Sequence, residues 1–276
     1  MRRRGSGGTL SGVTQSTQAT PDRSARFLDD YAPGLTWLAA TILEWAELPP
    51  FARRVWSVTV STTRAGEVSA LAAIHAESGL CVAAALPDAP PPFLGEAQQI
   101  RRLLAAPEAI QAIFDGVPML AVRRLPGFKR EVLLFDGEPA PPRHALLRRA
   151  RADEWQALEL FRQESDVDPD PATLPELAGP TQRGLVWVLE GKDGVLGFFR
   201  IEGVSRRRVQ FADACVHPRH RGHGYGTALL RSAAHVARTE YARGAVLASW
   251  LNEAGRRTAA RAGFAHSGTL EDVLLA

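Results

Sequence analysis

Two cysteines in 276 residues, Cys81 and Cys215, are too few for the disulfide framework of a small secreted scaffold. They lie in separate apolar segments, which fits free thiols in a reducing cytoplasm. Lysine is nearly missing: Lys129 and Lys192 are the two occurrences among 33 basic residues. Nor does any apolar run approach the ~18 residues that mark a membrane helix. Met1 and the three arginines after it resemble the basic start of a secretion signal. Residues 5–20, however, are polar where such a signal is apolar, so 1–22 reads as a disordered tail. What remains is ordinary for a soluble protein, with 45% hydrophobic and 23% charged residues and length for one or two domains.

Net charge is +3, from 33 basic against 30 acidic residues. The arginines come in short clusters at 101–102, 148–151, 206–208 and 256–257. A nucleic-acid reader gathers its charge on one face and adds stacking aromatics. These clusters are scattered, so a nucleic-acid partner is not expected.

Residues 216–230, VHPRHRGHGYGTALL, carry the most information. An apolar run over 209–216 stops at Pro218. Gly222, Gly224 and Gly226 alternate, and from Thr227 apolar residues recur at helical spacing. A strand, a glycine turn and a helix N-terminus together make a cradle for a diphosphate. Glycine lets backbone N–H groups approach a phosphate closely, and a helix N-terminus offers unpaired donors with partial positive charge. Arg219 and Arg221 add full charges. Two familiar cradles are excluded: a dinucleotide site of the GxGxxG type needs glycine where Thr227 stands, and a P-loop needs a lysine that is absent.

A second cluster follows. Residues 245–250 read as a strand, Asn252 as the N-cap of a helix, and Gly263 as the residue that ends it. His217 and His220 have too few local partners to hold a metal, and the His/Cys set has no paired zinc spacing, so no metal is expected.

The pattern VxPxxRGxGxGxxLL, with Asn252 and Gly263-Phe264 at the matching distance, resembles the GNAT superfamily of N-acetyltransferases over about the second half of the chain. The resemblance implies an α/β (α+β) fold, a mixed and mostly antiparallel sheet flanked by helices. It implies acetyl-CoA as co-substrate, with a small-molecule or peptide amine as acceptor. Carried over, Arg221, Gly222, His223, Gly224, Tyr225, Gly226 and Thr227 would enclose the diphosphate. Cys215 and Val216 would offer strand backbone to the pantetheine arm, and Asn252 a polar contact to it.

Departures from the family fall on the proton carriers. Its leaving-group tyrosine would stand at Ala259, and its strand bases at Gln210 and Ala212. Asp213 is a substitute base if a bulge re-aims it from the opposite face, and Glu202 is a substitute acting through water. Cys215, with nothing nearby to activate it, reads as a small buried hydrophobe. A non-catalytic acyl-CoA sensor is the alternative function, and small residues at 258–260 leave room for a longer acyl donor.

The chain divides at the proline-rich link 137–143. From 139 to 276 the expected order is strand (144–150), helix (153–164, capped by Asp153), loop (165–180), a hairpin turning at 191–194, strand, glycine turn, helix, strand, helix, strand. Asp166, Asp168 and Asp170 in that loop would attract a cationic amine. From 23 to 138 the pattern is a helix over 27–47, three strands, a helical stretch over 93–115, then strands at 117–123 and 130–135. That echoes the second half, but prolines at 87–93 replace the glycine cradle and supply no N–H groups. It reads as a degenerate GNAT-like half or another α+β domain, and the protein as a monomer or homodimer.

Overall fold

Residues 14–16, 20–47, 56–63, 65, 67–87, 89, 94, 97–125, 127–139, 146–165, 177–192, 194–249 and 251–276 are described by a computed structural model of the chain. Its elements are β1 (Thr14–Ser16), α1 (Pro21–Tyr31), α2 (Thr36–Glu47), β2 (Trp56–Thr62), β3 (Val68–His75), β4 (Leu80–Ala85), β5 (Arg102–Ala105), α3 (Pro107–Gly116), α4 (Pro118–Val122) and β6 (Phe128–Phe135). The second half continues with β7 (Leu146–Arg149), α5 (Trp155–Glu164), α6 (Ala178–Gln182), β8 (Val186–Gly191), β9 (Gly194–Val204) and β10 (Arg208–Val216). Then come α7 (Tyr225–Tyr241), β11 (Gly244–Ser249), α8 (Glu253–Ala262) and β12 (Ala265–Leu274).

Among the described residues, twelve strands join one sheet in the order β1-β2-β3-β4-β5-β12-β6-β11-β10-β9-β8-β7. Read from either end, this order is the same once each strand is exchanged for the one six places away. The two parallel pairs, β4–β5 and β10–β11, also correspond, and every other pairing is antiparallel. The centre of this pseudo-symmetry is the pair β6–β12. Each of these strands crosses into the other half's territory: β6 pairs β11, and β12 pairs β5. The division of the sequence near 139 is therefore not a division of the sheet.

Strand alternation sends neighbouring side chains to opposite faces, and the core splits accordingly. On one face α7 and α8 cover Phe199, Phe211, Leu247 and Phe264, while α3 covers Leu103 and Val273 through Ile110 and Ile113. On the other face α5 covers Val188 and Phe198 with Phe161. There α1 and α2 set Leu28, Leu38 and Ile42 against Leu71, Val82, Val132 and Val246.

Several sequence expectations change. The helix over 27–47 is two helices, parted at Pro33, whose ring forbids the continuing hydrogen bond. The stretch 93–115 contains β5 as well as α3, because Leu103 and Leu104 are buried on opposite faces and give no helical period. The expected strand 117–123 is α4, opened by Pro118 at its first turn. Asp153 does not cap α5, whose N-cap position is Glu154. Of the tail 1–22, residues 14–16 pair with β2 and α1 starts at Pro21; 1–13 and 17–19 lie outside the described residues. So do 166–176, with Asp166, Asp168 and Asp170, together with 140–145 and most of 87–93.

Candidate functional site

β10 runs parallel to β11 only as far as Phe211 paired with Leu247. Beyond that point a register shift against β9 falls between Ala212 and Cys215. Asp213, in its middle, has φ +54, the left-handed conformation of a bulge. The two parallel strands part there and leave a cleft of about 350 Å³. Ala214, Cys215 and Val216 form one wall, Leu247 and Ser249 another, and α8 closes it with Asn252, Gly255 and Thr258.

The glycine turn sits at the mouth. Gly222 and Gly224 both have φ +83, and a Cβ built on either would meet nothing within 4 Å. Gly224 is the N-cap of α7. Among the described residues, the N–H groups of residues 222–227 donate to no backbone carbonyl. Six donors with no backbone acceptor among the described residues, beside a 17-residue helix dipole, suit an anionic group. Gly226 has a separate role: its Cβ would come 3.0 Å from Thr258 Cγ2, where α7 meets α8.

Side chains around the turn mostly brace it. Arg221 Nε donates to the Val216 carbonyl at 3.3 Å and its other nitrogen to the Ser165 carbonyl. The guanidinium thus pins strand, turn and the end of α5 together while keeping its charge at the cleft. His217 Nδ1 accepts from Arg219 N–H at 3.2 Å, and the Arg219 side chain is exposed. His223 Nδ1 lies 2.9 Å from the Arg221 carbonyl, and Tyr225 stands between the rings of His220 and His223.

Asn252 accepts from Gly255 N–H at 2.8 Å, the N-cap bond expected of it. Its side chain lines the cleft. Asn252, Gly255 and Thr258 recur every three residues and so share one helix face. Thr258, read in the sequence only as one of the small residues at 258–260, lines the cleft itself. Its hydroxyl bonds the Ala254 carbonyl at 2.8 Å. Ala259, where a tyrosine was expected, is buried against α7 and does not line the cleft.

Cys215 lines the cleft but is otherwise buried, and burial, with Asp213 nearby, pushes its thiol far above the usual range. Burial alone pushes Cys81 up to about 12. Neither is a thiolate nucleophile.

Asp213 and Glu202 do not line the cleft. Asp213, 7% exposed, accepts from Arg200 Nε at 2.7 Å, with Arg162 of α5 3.7 Å away. Glu202 faces Arg200 at 3.5 Å and accepts from Gln210 Nε2 at 2.9 Å. A base needs a lone pair directed at the substrate, and these carboxylates direct theirs at guanidinium and amide donors. The bulge does re-aim Asp213, but into an ion pair. That pairing joins residues 13 apart and has no local signature in the sequence. The arginine clusters are also engaged: Arg206 with Asp22, Arg208 with Asp136, Arg256 with Glu131, Arg148 with Glu154 and Glu190.

One comparison with known proteins falls on this region, and others bear on the fold of the whole chain. Residues 182–266 match a family described as the acetyltransferase (GNAT) domain. In fold, the chain is similar to a GCN5-related N-acetyltransferase from Sphaerobacter thermophilus, at 14% identity and TM-score 0.57, over 95% of this chain and 94% of the other. It is similar to a GNAT-family acetyltransferase from Colwellia psychrerythraea, at 9% identity and TM-score 0.52, over 96% and 100%. A Drosophila protein aligns at 12% identity and TM-score 0.59, over 96% and 98%. At such identities the likeness is one of fold. No curated protein matches the sequence.

Proposed function

We propose, from the match of residues 182–266 to the GNAT acetyltransferase domain, that this chain is an N-acetyltransferase carrying an acetyl group from acetyl-CoA to a primary amine. The observation that carries the reading is the conjunction of the bulge at Asp213, the cleft it opens, and the N–H groups of residues 222–227 at the mouth, which donate to no backbone carbonyl among the described residues. Bound acetyl-CoA supplies an activated thioester; attack by the amine nitrogen gives an amide and a free thiol.

This chain's residues bind and orient. The 222–227 amides and Arg221 hold the diphosphate. Cys215 and Val216 present strand backbone, and Asn252 its amide nitrogen, to the pantetheine arm. Orientation of amine against thioester supplies much of the rate, and water carries protons where Gln210, Ala212 and Ala259 do not.

The second reading is a non-catalytic acyl-CoA sensor, favoured by Gln210, which is locked in hydrogen bonds where a base would stand. The first half is then a degenerate copy of the second, supported by the symmetric strand order. Free buried thiols, with no helix among the described residues long and apolar enough to cross a membrane, support a cytoplasmic location.

Calorimetric titration with acetyl-CoA, followed by thiol release with a panel of amines, tests both readings. Binding with amine-dependent release is the expected outcome. Binding without release leaves the sensor, and no binding removes the cradle assignment.

A further inference from the structure

A run of polar side chains, buried except for the half-buried Glu202, crosses the sheet face opposite α7, and acyl transfer as described makes no use of it. It starts in the first half, where Trp37 N–H, in the first turn of α2, donates to Gln210 Oε1 at 3.0 Å. Gln210 Nε2 donates to Glu202 at 2.9 Å, Glu202 faces Arg200 at 3.5 Å, and Arg200 Nε donates to Asp213 at 2.7 Å. Gln210 is 1% exposed, and Arg200 and Asp213 are almost as deeply buried. Buried polar groups need their partners, so each link fixes the next.

The run ends on the residue that opens the cleft. Asp213 has φ +54, a conformation that a non-glycine residue keeps only when its surroundings hold it. Its ion pair with Arg200 at 2.7 Å, with Arg162 of α5 3.7 Å away, is that hold. We propose that the first half of the chain sets the width of the cofactor cleft: α2, acting through Gln210, Glu202 and Arg200, positions Asp213 and so keeps β10 parted from β11. This rests on reading the cleft as an acyl-CoA site. Gln210 is then a positioning residue. The position requires a side chain that both donates and accepts; a carboxylate there would stand 2.9 Å from that of Glu202.

Three variants test it: Gln210→Glu, Gln210→Met, and the exchange Gln210→Glu with Glu202→Gln. The exchange keeps net charge and rebuilds the hydrogen bond with donor and acceptor reversed. For each, acetyl-CoA affinity is measured by calorimetry beside a thermal melt. Gln210→Glu is expected to weaken binding at least tenfold and the exchange to restore it to within about threefold of wild type. A residue that only fills space would not be rescued this way. If Gln210→Glu does not fold, Gln210→Met, which adds no charge, supplies the comparison with an expected loss of several-fold. Wild type that fails to bind acetyl-CoA overturns the acyl-CoA reading itself. Wild type that binds, with folded Gln210 variants binding equally well or an exchange that stays weak, overturns this inference alone.

Discussion

Gly224 is open on the side where a Cβ would stand, yet its φ of +83 belongs to the left-handed region. A β-branched residue there strains the backbone by about 1–2 kcal/mol, while its Cβ meets nothing within 4 Å. Gly224→Val is therefore expected to melt within a few degrees of wild type and to lose acetyl-CoA binding. A large loss of stability with binding retained would show the glycine to be a turn residue only. Asp29 makes a different point. Burial, above all, raises its carboxyl from the usual 3.8, with Ser205, Arg208 and Arg207 pulling partly the other way. A raised native value means the folded chain holds the proton more tightly, so the associated stability is complete below the unfolded value and fades as pH rises through the folded one. Asp29→Asn, which never ionises, should gain on wild type as pH goes from 4 to 7. Urea midpoints at the two ends measure the gain, and a constant difference contradicts it.

Among the elements, α2 and β9 meet backbone to backbone. A Cβ on Gly203 would lie 2.5 Å from Trp37 Cα, where no side chain can give way. Gly203→Ala is expected to push α2 outward, lower the melting temperature and weaken acetyl-CoA binding with it; a melt equal to wild type would refute the contact. Elements also differ in how far the sequence discloses them. Glycines and prolines act locally, so the turn at 222–226, the α8 cap at Asn252 and the hairpin at Gly191 and Gly194 can be read directly. The segments Leu103-Leu104 and Met119-Leu120-Ala121-Val122 are short apolar runs whose type is settled by the layers around them. The bulge at Asp213 is readable only as an option, since the arginine that holds it comes from the neighbouring strand.

For the whole molecule, the seam between halves is held at Asp272 on β12. Burial favours its protonated form, but hydrogen bonds and charge from Arg102 of β5 and then Arg130 of β6, at 2.5 and 2.9 Å, outweigh that and leave the carboxyl below its usual value. The stability so gained is present above the unfolded value and lost as pH falls through the folded one. Asp272→Asn is expected to cost about 3 kcal/mol at pH 7, with a smaller difference from wild type at pH 2. Denaturant melts at both pH values test this, and a pH-independent difference would count against the ion pairs.

The crossing of β6 and β12 bears on how the protein is made. Arg102 pairs with Leu274 across the sheet, and Ala245 with Phe135. A ribosome therefore releases β5 with its neighbour not yet synthesised, and that edge stays bare until residue 274 has emerged. Long-range pairing of this kind folds slowly and exposes strand edges meanwhile. A nascent chain halted before residue 265 offers β5 to any passing strand, whereas the finished chain has closed that place with its own β12.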